Sequence, residues 1–158
     1  RSAISKNSYE EGSAENYQRL GRKLSKQSWA IAAKIKEVDD FMRSEKAGSK
    51  VREMHPEVAF CGLNGGEPIL TNKKSGDGFN ERFELLKRFY PKVRSVVDAA
   101  RANTPLKKDL QNDDILDALV GAVTASNHLS LHTLPENPSL DDEGLPMEMV
   151  FAKDRSST

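Results

Sequence analysis

The sequence predicts a helix-rich α/β domain with too few strands for a complete sheet. Apolar residues recur at helical spacing through most of the 158 residues. Only short stretches, at 50–54, 68–71 and 147–151, read as extended. An α/β domain needs a sheet wide enough to cover its helices, so residues 1–158 are expected to form one incomplete domain. The start at Arg1 rather than Met agrees with a piece of a longer chain.

Residues 1–24 form a polar N-terminal segment, with a short helix expected over Ser13–Leu24. Ser25 suits an N-cap. An amphipathic helix is expected within 25–46, its body Lys26–Ser44, with Trp29, Ala32, Ile35, Val38 (or Asp39) and Met42 facing inward; Ala47-Gly48-Ser49 ends it. Lys50–Met54 reads as a strand. Pro56 suits a first helical turn, and that helix runs through Leu63 until Asn64-Gly65-Gly66. Pro68–Thr71 is extended, and Lys73–Gly78 is a glycine-bearing loop. Phe79–Tyr90 is a helix with Phe79, Phe83, Leu86 and Phe89 (or Tyr90) inward. Pro91–Ala102 is another, with Val93, Val96, Val97 and Ala100 inward, broken by Asn103-Thr104-Pro105. Asp113–His128 is a third, followed by a loop over Leu134–Gly144 and a strand over Met147–Phe151.

The totals narrow the classes of function. Formal net charge is zero, so no global field draws nucleic acid or an anionic membrane, and polyanion binding needs a local patch. The single cysteine, Cys61, excludes an internal disulfide and fits a reducing compartment, so a cytoplasmic location is expected. No apolar run nears the roughly 20 residues of a membrane span, and no signal-peptide pattern is read.

The most informative stretch is Asn112-Asp113-Asp114-Ile115-Leu116-Asp117-Ala118. It sets three carboxylates at the start of an apolar helix. At about 100° per residue, Leu116, Leu119, Val120 and Val123 form a bulky stripe. Asp114, Asp117, Ala118, Gly121 and Ala125 form a second face, small enough beyond its first turn for close approach of a neighbour. Capping and the helix dipole account well for Asp113 and Asp114. They account poorly for Asp117, a turn further in. Two carboxylates held close repel unless a proton or cation intervenes, and Mg²⁺ takes one or two carboxylates plus waters and phosphate oxygens.

Glu53 ends the Lys50–Met54 strand, where ligands gather in α/β folds; the plainer reading is a surface glutamate paired with Arg52 or a lysine. Glu57 is most simply a dipole-compensating acid. His55 precedes proline and reads as a turn residue. His128 and His132 form no metal-binding spacing. Asn64-Gly65-Gly66 lacks the following Lys-Ser/Thr of a phosphate loop. Lys73, Lys74, Arg82, Lys87 and Arg88 could contact phosphates or simply form a solvated face.

Together these stretches resemble a family of uncharacterised proteins predicted to be ribonuclease-H-like nucleases. The blocks are Ser25-Lys26-Gln27-Ser28-Trp29, Lys34 to Asp39, Glu53-Met54-His55-Pro56-Glu57, Leu63-Asn64-Gly65-Gly66, Lys73-Lys74 with Gly78 and Glu81-Arg82, Asp113 to Ala118 with Thr124-Ala125, and Gly144 to Glu148. The resemblance implies that the chain is the C-terminal portion of a ribonuclease-H-like α/β domain. The first strands of the sheet, with their aspartate, are expected to be missing from it. Asp114-x-x-Asp117-Ala118 is also similar to the C-terminal helix motif of Holliday-junction resolvases.

Carried over by position, Glu53, Asp114 and Asp117 would be the catalytic acids and ligands of Mg²⁺ or Mn²⁺. Lys73, Lys74 and Arg82 would hold the substrate's phosphate backbone. The expected function is divalent-metal-dependent hydrolysis of phosphodiesters in nucleic acid by the intact protein, this chain alone being inactive. The alternative is a non-catalytic binding or assembly module with the same fold. Hydrolysis of a small phosphorylated metabolite is a third option.

Overall fold

The computed structural model describes residues 1–44, 51–104 and 110–154. It is helix-rich α/β, with one small two-stranded sheet among the described residues. The chain divides into two compact units, Arg1–Val51 and Arg52–Thr158.

The first unit holds α1 (Tyr9–Leu20), α2 (Lys26–Ala30) and α3 (Ala32–Met42). Ser8 caps α1 by accepting from the Glu11 N–H, and Gly21 closes it at φ 67°, a left-handed conformation that glycine adopts without penalty. The helix therefore starts earlier than expected, at Tyr9, because Ser8 supplies the cap. Ser25 caps α2 as expected, accepting from Ser28 N–H at 2.9 Å. The single helix expected over Lys26–Ser44 is two helices, broken at Ile31 (φ −102°, ψ 3°). The break accompanies two different burials. Trp29 packs on Gly12, where a Cβ would sit 2.6 Å from the indole, and meets Tyr9 edge-on at 6.4 Å. Ala32 is the buried residue of α3. The stripe expected to face inward is open at Ile35, 42% exposed, and Val38, 59% exposed, while Asp39 and Met42 are half-buried. The expected stop at Ala47-Gly48-Ser49 lies outside the described residues.

The second unit contains α4 (Pro56–Leu63), α5 (Gly76–Phe89), α6 (Val93–Asn103), α7 (Asn112–Ser126), β1 (His132–Leu134) and β2 (Met149–Phe151). Pro56 opens α4, where its missing N–H costs nothing. α6 stops at Asn103, and Thr104, before Pro105, is extended. α7 packs against α4, α5 and α6. It places Leu116 and Val120 among Phe60 and Leu63 of α4, Phe83 and Leu86 of α5, and Val93 and Val97 of α6. Each such burial contributes on the order of 1.5–3 kcal/mol. Val96 and Ala100 are only partly buried.

β1 and β2 pair antiparallel, with Thr133 opposite Val150; β1 was not expected, its three residues being too short a run to signal. The strand expected over Lys50–Met54 is a correction. Val51–His55 belongs to no strand, touching β2 through one bond from Val150 N–H to the Glu53 carbonyl, 2.8 Å. Arg52 reinforces that contact by reaching the buried Glu148 at 2.6 Å. Gly62 lets α4 lie against β2, since a Cβ there would come within 2.5 Å of the Ala152 carbonyl.

Candidate functional site

The N-terminal ends of α5 and α7 border a cleft of about 240 Å³ lined by Lys73, Lys74, Phe79, Asn80, Asn112 and Asp113, among others. A short turn prepares one wall. Asn72 accepts the Lys74 N–H through its side chain at 3.0 Å, and its carbonyl accepts from the Ser75 hydroxyl at 2.7 Å. Ser75 then caps α5 by accepting from Gly78 N–H at 3.0 Å. This cap starts α5 three residues earlier than the expected Phe79, inside what read as a loop. Gly78 is required there, because a Cβ would collide with the Asn72 carbonyl group, 2.6 Å from its carbon.

That turn delivers Lys73 to α7. Its ammonium donates to Asp117 Oδ2 at 2.7 Å and lies 3.5 Å from Asp113 Oδ2. The two acids are mostly buried, with side chains 13% and 21% exposed. The Lys73 pKa is raised above its ordinary 10.5, first by the hydrogen bond to Asp117, against the cost of burial, and further by the charges of Asp117 and Asp113. Asp117 Oδ1 is buried and has no hydrogen-bond partner among the described residues.

Asp114 is not part of this group. It completes a capping box with Gln111, whose backbone N–H it accepts at 2.9 Å. Helix geometry explains the exchange of roles. Asp113 lies about 40° from Asp117 around the helix, whereas Asp114 lies about 60° away on the other side. The pair that meets Lys73 is thus Asp113–Asp117 at i,i+4 and not the expected i,i+3 pair Asp114–Asp117.

Glu53 is exposed, and its carboxylate makes no hydrogen bond or ion pair with any described residue. Its neighbour Met54 does reach α7: a Cβ on Gly121 would sit 2.9 Å from Met54 Cε. The small face of α7 thus receives the Glu53-bearing segment one turn beyond Asp117, while Ala118 and Ala125 stay exposed.

Arg82 is a correction. Expected to hold substrate phosphates, it is 3% exposed. Its guanidinium binds both Glu57 oxygens, at 3.2 and 2.8 Å. It also donates to the carbonyls of Thr71 and Gly78, each at 3.1 Å, and lies over the Phe60 ring. It is a strut between α4 and α5. Lys74 is exposed on the cleft, and Lys73 belongs to both the cleft and the acid pair.

The residues as placed do not fit the expected Mg²⁺ or Mn²⁺. Glu53, Asp114 and Asp117 do not converge on a shared donor set, a lysine ammonium already serves the two acids that do, and no group of three or more His, Cys, Asp or Glu among the described residues is arranged to hold a metal. None of the described helices is long and apolar enough to cross a membrane.

Neither a curated protein nor a solved structure matches the chain. A family model does, over residues 1–139, taking in the first unit, the Lys73 turn and α7 but not β2. The chain therefore belongs to the family described as Protein of unknown function (DUF429).

Proposed function

We propose that the intact protein is a nuclease with a ribonuclease-H-like fold, hydrolysing phosphodiester bonds of nucleic acid. The observation that supports this reading is the position of Lys73, shared between a carboxylate pair and a cleft that also presents Lys74. Cationic side chains beside acids are what phosphodiester chemistry asks for: the cationic side chains hold phosphate oxygens, and a carboxylate orients the water that attacks phosphorus. The resemblance of the Glu53 and Asp117 blocks to predicted nucleases supports the same reading. In it, Lys74 and Lys73 hold the phosphate backbone, and Asp117 belongs to the reacting centre.

The test is cleavage of labelled single- and double-stranded RNA and DNA by the intact protein, with Mg²⁺ or Mn²⁺ and with chelator. Cleavage that Asp117→Asn abolishes, while the variant keeps its fold by circular dichroism, is the expected result. Intact, folded protein that cleaves none of these substrates sinks the reading.

One observation favours a second reading, a non-catalytic nucleic-acid-binding module: the charge of Asp117 is already neutralised by Lys73. This module would bind nucleic acid through Lys74 without cutting it, and Asp117→Asn would leave that binding unchanged.

A further inference from the structure

The mismatch between the acids of α7 and a metal site has a definite structural cause. Asp113 and Asp117 bring two carboxylates onto one face of the helix, and Lys73 places a third charged group between them at 2.7 and 3.5 Å. The ammonium is held there by construction. The Asn72–Ser75 turn is pinned by three hydrogen bonds, and Gly78 lets it lie flat on the first turn of α5. A cation entering between the two carboxylates would meet a fixed positive charge within bonding distance of both, a repulsion strengthened by their partial burial.

We infer that in the substrate-free protein Lys73 is the resident cation of an Asp113–Asp117 pair, that it keeps divalent ions out of that pair, and that Asp114 is a capping residue with no part in it. The inference rests on this geometry and not on the nuclease reading. If the intact protein does cleave through Asp117, a substrate phosphate in the adjacent cleft is what must draw the lysine aside. Nuclease assays then address that reading, and metal binding without substrate addresses this one.

The experiment titrates Mn²⁺ into the full chain, stripped of metal and free of nucleic acid, following free Mn²⁺ by electron paramagnetic resonance. The unsubstituted chain is expected to show no site that Asp117→Asn removes. Lys73→Met, or Lys73→Gln should the first fold poorly, is expected to gain such a site, binding Mn²⁺ at least roughly tenfold more tightly than the unsubstituted chain does, as loss of an adjacent like charge implies. Adding Asp117→Asn to it should abolish the site. Adding Asp114→Asn should leave it, since an asparagine oxygen still accepts from Gln111. An Asp117-dependent Mn²⁺ site in the unsubstituted chain overturns the inference. So does a Lys73 variant that folds yet gains no site, or a gained site lost with Asp114→Asn. The first of these results needs no Lys73 variant, so the inference stays open to refutation even if both variants fail to fold.

Discussion

Two residues that read alike in the sequence, Lys73 and Arg82, have opposite fates. Lys73 lies on the cleft, and its raised pKa has a checkable sign. A lysine whose folded-state value lies above its unfolded value stabilises the fold fully below the ordinary 10.5 and loses that contribution only as pH rises through the higher folded value. The stability gap between the unsubstituted chain and Lys73→Met, by urea denaturation, should therefore be undiminished from neutral pH to about 10 and close only well above 10.5. Arg82 is buried in carboxylate and carbonyl contacts. Arg82→Ala should cost roughly 2–4 kcal/mol, because it strands Glu57 and two carbonyls together. Arg82→Lys should not restore this, since one ammonium cannot serve the fork geometry; thermal denaturation distinguishes the outcomes. No local pattern separates a buried arginine from a solvated one, because burial is conferred by the Phe60 and Thr71 segments folding over it.

Among the elements, several caps and stops were legible from the sequence, though not the Ser8 and Ser75 caps, and the close approaches at Gly62 and Gly78 were not. Ser25, Pro56, Asn64 and the residue before Pro105 act through their nearest neighbours, so their signals sit in the sequence beside them. Gly62 and Gly78 act against segments distant in space. At both, a side chain would meet backbone, which cannot step aside as a flexible side chain can. Gly62→Ala should destabilise the protein by about 1–3 kcal/mol by prising β2 from α4, read as a lower denaturation midpoint. Gly78→Ala should lift the Asn72–Ser75 turn and carry Lys73 away from Asp117. Its own expected signature is a loss of the raised Lys73 pKa, followed by nitrogen NMR of the ammonium. The same distinction explains the Val51–His55 segment. Its alternation resembles a strand, but strand identity needs a partner, and β2 offers it a single backbone bond.

For the molecule as a whole, zero net charge means that any nucleic-acid affinity comes from a few local cations. With Lys73 and Lys74 as the phosphate contacts, the logarithm of single-strand affinity should fall with the logarithm of salt at a shallow slope of about −0.7 to −1.4, measured by fluorescence anisotropy. A much steeper slope would point to another surface. By itself, the sequence determined the helix-rich character, the positions of α4 to α7 and the oddity of Asp117, because helical periodicity, caps and an acid placed against an apolar stripe are written in local spacing. Only the tertiary structure decided that Asp113 rather than Asp114 joins Asp117, that Lys73 neutralises them, that Arg82 is a strut, and that Glu53 stands outside the group. Those outcomes depend on which segments meet across the fold, and the energy of a charged side chain is set by the neighbours it meets there.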